Sequence, residues 1–170
     1  TGLAAQGLPS PPPAADSLAP SYRGFMVGAG YRDFAARARA VQAFAAQPMV
    51  CRTSRRTAQL MECGVIIRDP VDGVQLRLTA HFVDGRTGFV AFGDSGDAAL
   101  VERVQREVRA VFGPPTHEAH GTWEWRAASG RRFARFNWRG QGAARWAYVT
   151  LTDLDVLDRV ARYVTPAPAP

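Results

Sequence analysis

Lysine is absent from this chain. All 21 basic residues are arginine, set against 15 acids, for a net charge of +6. Two readings fit. Arginine's planar fork grips anions in a bidentate way that lysine cannot; alternatively, a GC-rich coding sequence favours Arg together with Ala, Gly and Pro. Also missing is any run of the roughly 18 apolar residues that a membrane-spanning helix needs. The chain as given is therefore not expected to cross a bilayer by a helix.

Catalytic signatures are missing too. Ser54 and Ser129 sit in no nucleophile elbow, and Gly28-Ala29-Gly30 is too short for a dinucleotide-binding fingerprint. His117-Glu118-Ala119-His120 spaces its histidines three apart, after Pro114-Pro115 and in an expected loop. A metalloprotease helix spaces them four apart on one face. Glu124 and Asp94 have no evident partner for acid–base work. The expectation is a protein that is not an enzyme and takes no cofactor or metal; a small metal-dependent hydrolase using the histidine loop is the last alternative.

Cysteine is scarce, but its placement is informative. Cys51 and Cys63 are the only two, and they flank the polar loop Arg52 to Ala58. A hairpin closing near Arg56-Thr57-Ala58 places them directly opposite each other, as a cross-strand disulfide requires. Such a bridge implies an oxidising, periplasmic or extracellular compartment. The alternative is a pair of buried free thiols. No histidine lies nearby in sequence to complete a zinc site.

The 46% apolar and 21% charged shares are ordinary for a globular protein. The length of 170 residues suits one compact domain or two small halves sharing a core. Residues 1–22 are rich in Pro, Ala and Ser and read as a linker. Ala4-Ala5 suits the trimmed end of a secretory signal, although no charged n-region or apolar core accompanies it. Residues 165–170 form a matching Pro/Ala tail.

Between the tails, residues 23–164 read as a single α+β domain in two halves, 23–94 and 95–164. Phe34, Ala38, Val41 and Ala45 recur at helical spacing over 31–46, and Pro48 stops that helix. A four-strand meander follows at 49–53, 60–68, 73–83 and 87–92. Its clearest strand alternates Val74, Leu76, Leu78, Ala80 and Phe82 with Gln75, Arg77, Thr79 and His81, and Asp84-Gly85 marks a tight hairpin. A second helix over 97–112 carries Leu100, Val101, Val104, Val108, Val111 and Phe112, with Ser95 or Asp94 as its cap and Gly113-Pro114 as its stop. Three strands follow at 121–127, 131–138 and 143–151. A final helix is capped by Thr152, with Asp155 in its first turn. Helix, four strands, helix, three strands, helix is an α+β arrangement with helices segregated from antiparallel sheet.

The element order from Tyr31 to Leu151 resembles that of the beta-lactamase inhibitor protein and of small outer-membrane assembly lipoproteins. The phrase Val111-Phe112-Gly113-Pro114, followed by Trp123-Glu124-Trp125, is similar to that group's helix end and aromatic strand. The first half has one long helix rather than a helical pair, and the inhibitor's richer cysteine pattern is missing. The resemblance implies a non-catalytic protein-binding module of the cell envelope.

The densest chemistry lies between Trp123 and Trp146. Arg126, Arg131, Arg132, Arg135, Arg139 and Arg145 are interleaved there with Trp123, Trp125, Phe133, Phe136, Trp138 and Trp146, and Glu124 is the one acid. One reading is an aromatic core strand with solvated arginines. The other is an exposed platform for anions. On the second reading, the binding residues are Arg126, Arg131, Arg132, Phe133, Arg135, Arg145, Trp123 and Trp146. Arg52, Arg55 and Arg56 offer a second anion contact or merely a solvated turn. A pI near 10.3 suits nucleic acid. No nucleic-acid-binding phrase appears, however, and an oxidising compartment disfavours that partner. The expected function is a secreted or periplasmic binding module for an acidic protein partner or anionic envelope polymer. An accessory subunit of a larger envelope complex, held by Pro-rich ends, is the alternative.

Overall fold

The computed structural model describes residues 19–164. The expectations for most of the N-terminal linker and for the C-terminal tail lie outside them. The chain begins with a small hairpin, β1 (Ser21–Tyr22) and β2 (Phe25–Met26), and continues into helix α1 (Tyr31–Ala40). Four strands follow: β3 (Val50–Thr53), β4 (Leu60–Arg68), β5 (Gln75–Val83) and β6 (Arg86–Gly96). Helix α2 (Ala98–Phe112) leads to β7 (His117–Ala119), β8 (Thr122–Arg126), β9 (Arg132–Gln141) and β10 (Ala144–Asp153). Short helical turns α3 (Leu154–Leu157) and α4 (Ala161–Val164), joined by a 3-10 turn, end the described chain.

β3 to β10 form one eight-stranded antiparallel sheet in the order β3-β4-β5-β6-β10-β9-β8-β7. Each half is a meander, and β6 and β10 join the halves, with Phe92 opposite Val149 and Val90 opposite Leu151. The α+β class stands, with a larger sheet than expected. The second half has four strands, because β7 adds itself to β8 as a short edge.

Strand alternation sorts the sheet into two faces. One carries Val65, Ile67, Leu76, Leu78, Phe82, Val90, Phe92, Ala134, Phe136, Ala147, Val149 and Leu151, all buried. The helices pack on this side: Phe34 and Ala38 of α1 and Leu100, Val101, Val104 and Val108 of α2 share a single core with it. β1 and β2 fill the space between the helices. Tyr22 meets Phe92 edge-on at 5.0 Å, and Phe25 meets Phe34 at 5.2 Å. Tyr22 is 3% exposed, so the linker expected over residues 1–22 gives way to folded chain before its end. The tight Arg23-Gly24 turn, with both φ angles positive, makes this hairpin.

Several expected boundaries move, each for a tertiary reason. Helical periodicity runs to residue 46, yet α1 stops at Ala40. Beyond it, the Arg68 amide donates to the Val41 carbonyl at 2.7 Å, and the Ala43 amide donates to that of Ile66 at 2.9 Å. The backbone thus pairs with the end of β4 instead of coiling. The α2 cap is Asp97, rather than Ser95 or Asp94, because β6 extends through Gly96; its carboxylate accepts from the amides of Ala99 and Leu100. Val111 falls off the buried face and is exposed. Thr152 stays in β10, and Asp153 caps α3. The last helix is broken into short turns that cross β6 at Gly88. A β-carbon there would sit 2.6 Å from the Leu157 side chain, so any larger residue would force Leu157 to shift.

Local turn chemistry behaves as read. Asp84 and Gly85 both take positive φ, as the tightest hairpin turns demand. Cys51 lies directly opposite Cys63 and the two are joined as a disulfide. No helix among the described residues is long and apolar enough to cross a membrane.

Candidate functional site: the bare face of the sheet

The face turned away from α1 and α2 is the more exposed one, although Thr152, Phe133 and Glu124 on it are buried. Its register runs in rows across the strands. One row is Arg52, Glu62, His81, Phe89, Thr152, Phe133 and Arg126. The next is Val50, Gly64, Thr79, Ala91, Thr150, Arg135 and Glu124. A third is Ile66, Arg77, Gly93, Tyr148, Asn137 and Thr122. Trp146 lies beyond these, opposite Arg139. The middle row is small at its centre, so the face dips between two higher ridges.

The arginine–aromatic constellation does not form one surface. Trp123, Trp125 and Trp138 point to the helix side and pack together, with Trp123 edge-on to Trp138 at 5.7 Å. The Arg109 guanidinium of α2 covers the Trp123 ring at 4.4 Å, and the Trp125 indole N–H donates to the Gly113 carbonyl at 2.9 Å. Trp146 alone of the four tryptophans lies on the bare face, where it is 46% exposed.

The arginines divide as well. On the bare face, Arg126 and Arg135 both close on Glu124, with Arg135 Nε at 3.0 Å from its Oε2. Their guanidiniums stand 4.3 and 5.2 Å from the Phe133 ring centre. Burial pushes the Glu124 carboxyl up, but the two arginine hydrogen bonds outweigh it and hold it below the usual carboxylate range. Arg132 points to the other side, where its Nε donates to the buried Asp153 at 3.0 Å. Arg131, in the turn before β9, is paired with Asp155 and Asp158 of the C-terminal turns. Arg145 precedes Trp146 in β10 and therefore lies on the opposite face from it; its Nε donates to the Gly142 carbonyl at 3.4 Å.

What stays open on the bare face is a smaller set. Trp146 stacks on Tyr148 with centroids 6.2 Å apart and 10° between planes, and Arg139 stands 5.6 Å from the Tyr148 ring. At the other end of the sheet, Arg52 and Arg77 have no ion-pair or hydrogen-bond partner for their guanidiniums among the described residues. In the sequence Arg77 shows only as a wet-face strand position, and nothing there singles out Tyr148. Cross-strand counting from the turn at 69–73 could have placed Arg77 opposite Ile66, one pair along the same face from Gly64 and Thr79.

Of the two histidines three apart, His117 lies in edge strand β7 and His120 in the turn after it. His117 is opposite Glu124, whose carboxylate is already held by two arginines. No group of three metal-binding side chains occurs among the described residues. A separate charge cluster sits at the edge of the helix side. Arg23, 7% exposed, binds Asp69 at 2.7 Å, Asp72 at 3.1 Å and Glu107 at 2.8 Å. It ties β1–β2, the β4–β5 turn and α2 together, which is a structural role.

No family model, curated protein or solved structure matches this chain.

Proposed function

We propose that the chain is a secreted or periplasmic, non-catalytic binding module whose bare sheet face docks on an acidic protein surface. One observation carries this reading: Trp146, half-exposed and stacked on Tyr148 beside Arg139, stands on the sheet face turned away from α1 and α2. Aromatic and arginine side chains are the types enriched at the cores of protein interfaces. Charge supplies the sign of the partner. Outward strand positions hold Arg52, Arg68, Arg77, Arg126, Arg135 and Arg139, against Glu62 and Glu124. The disulfide fits an oxidising compartment. The similarity of element order to the beta-lactamase inhibitor protein group points the same way.

The test is capture from the envelope fraction of the source cells, comparing wild type with Arg139→Glu/Trp146→Ala. A stoichiometric acidic protein, lost in the double variant, supports the reading. An anionic polymer in its place would make the face a polymer site. A partner kept by the double variant but lost on removal of residues 1–18 would instead favour an accessory subunit held by its Pro-rich end.

A further inference from the structure

The bare face contains an open groove of about 410 Å³ at the end away from Trp146. It exists because of two local events. The chain between residues 43 and 50 leaves the edge of β4 after pairing with Ile66, and returns as β3. Under the gap, Gly64 contributes no side chain, although its cross-strand neighbours Val50 and Thr79 do. Pro48, Val50 and Ile66 make apolar walls, and Arg52 and Arg77 line the groove from different strands. Glu62 also lines it, and the basic group nearest that carboxylate is His81, at 3.9 Å. Two arginines against one acid leave the groove positive.

Arg52 and Arg77 differ from the other arginines of this face. Those at 126 and 135 are neutralised by Glu124. Those at 52 and 77 have no acidic partner among the described residues. A guanidinium recognises a carboxylate through two parallel N–H bonds. Apolar walls beside two such donors suit a carboxylate carried on a short hydrocarbon stem.

We propose that this groove receives an aspartate or glutamate side chain from a loop of the protein partner, with Arg52 and Arg77 gripping its carboxylate and Gly64 as the floor. This rests on the protein-binding reading above and names the anchor of that interface. A loop is the fitting source because the groove opens directly onto the sheet face, where a partner would lie. The small middle row of the face leaves room for the loop's flanks.

The glycine supplies an unusually clean test. A β-carbon on Gly64 would meet nothing nearer than the Leu78 carbonyl oxygen at 3.9 Å, an ordinary contact. Gly64→Val should therefore fold, with a residue well suited to strands, while filling the groove. The probe is N-acetyl-glutamate methylamide, titrated into the full chain and followed by amide NMR, with the neutral glutamine analogue as control. The expected result is saturable shifts confined to Val50, Arg52, Gly64, Arg77 and Thr79, with a dissociation constant in the millimolar range. Arg77→Gln should weaken binding about tenfold or more, as loss of one charged hydrogen-bonding group does, and Gly64→Val should do the same by filling the groove. Glu62→Gln should strengthen it several-fold.

Equal shifts at Arg139, or binding that survives Gly64→Val and Arg77→Gln, would overturn the site. Micromolar binding of free glutarate would overturn the occupant, making this a small-molecule site. The titration needs no partner, so the two readings fail separately. A captured protein that Gly64→Val still binds would sink the groove and leave the interface standing. Saturable probe binding with no captured protein would do the reverse.

Discussion

The two faces of the sheet use the same residue types for opposite purposes. On the covered face, Trp123, Trp125 and Trp138 pack with Phe136 and Phe112, and arginines serve as lids or partners: Arg109 over Trp123, Arg132 on Asp153. On the bare face, Trp146 is exposed, and two of the arginines keep their charge open to solvent at the Gly64 groove. Composition alone treats these as one arginine–tryptophan patch. Register separates them. The lesson is that a cluster in sequence becomes a surface only when alternation, and the distribution of acids, leave it on one side unpaired.

The comparison is most sharply tested where the expected effect is largest. Phe136 is fully buried on the covered face, so Phe136→Ala should cost about 3–5 kcal/mol through lost burial and a residual cavity. Urea unfolding at constant m-value measures it. A cost near 1 kcal/mol would mean the covered face is loosely packed.

Ion clusters offer the second test. Arg23→Ala leaves the mostly buried Asp69 without its arginine and should cost about 3 kcal/mol. Glu124→Gln, on the bare face, should cost only about 1–2 kcal/mol, because Arg126 and Arg135 are each over a third exposed and screened by water. A reversed order would break the distinction between the faces.

Acid adds a sign to the same pair of clusters. Glu124 and Asp72 are both held below their ordinary values in the folded state, each by arginine hydrogen bonds that outweigh burial. A depressed carboxyl stabilises fully above its unfolded value, near pH 4, and that contribution fades as pH falls through the folded value. Unfolding free energy should therefore drop between about pH 5 and pH 2. Glu124→Gln should flatten part of that fall. A wild-type profile that is level across this range would remove the linkage.

The smallest effect completes the contrast. Trp146→Ala should change stability by no more than about 0.5 kcal/mol, as surface substitutions do, while costing partner capture. A loss comparable to that of Phe136→Ala would show the bare face to be covered in solution.

Much of the fold was legible because it is written in local chemistry. Asp84-Gly85 and Gly113 demand positive φ, and the alternation of β5 marks its buried side. Equal distances from a turn put Cys51 opposite Cys63. The misses share a cause. α1 ends at Ala40 although its periodicity continues, because Val41 and Ala43 find carbonyl and amide partners on β4, far along the chain. The β1–β2 hairpin was masked by the Pro-rich stretch before it. Its signal was Arg23-Gly24 set between Tyr22 and Phe25. β7 has only exposed side chains and no pattern of its own; it is a strand because β8 offers it an edge.

By itself, the sequence determined the alternation of each strand, the turns, the α+β class and the pairing of the cysteines, since these depend on neighbours a few residues apart. Only the tertiary structure decided which side of each strand the helices would cover and which arginines would find acids. Alternation names two faces without saying which is buried. Glu124 neutralises Arg126 from the same strand and Arg135 from the next one, while the acids of Arg131 and Arg132 come from the C-terminal turns and the end of β10. The open charge at Arg52 and Arg77 is what that distribution leaves over.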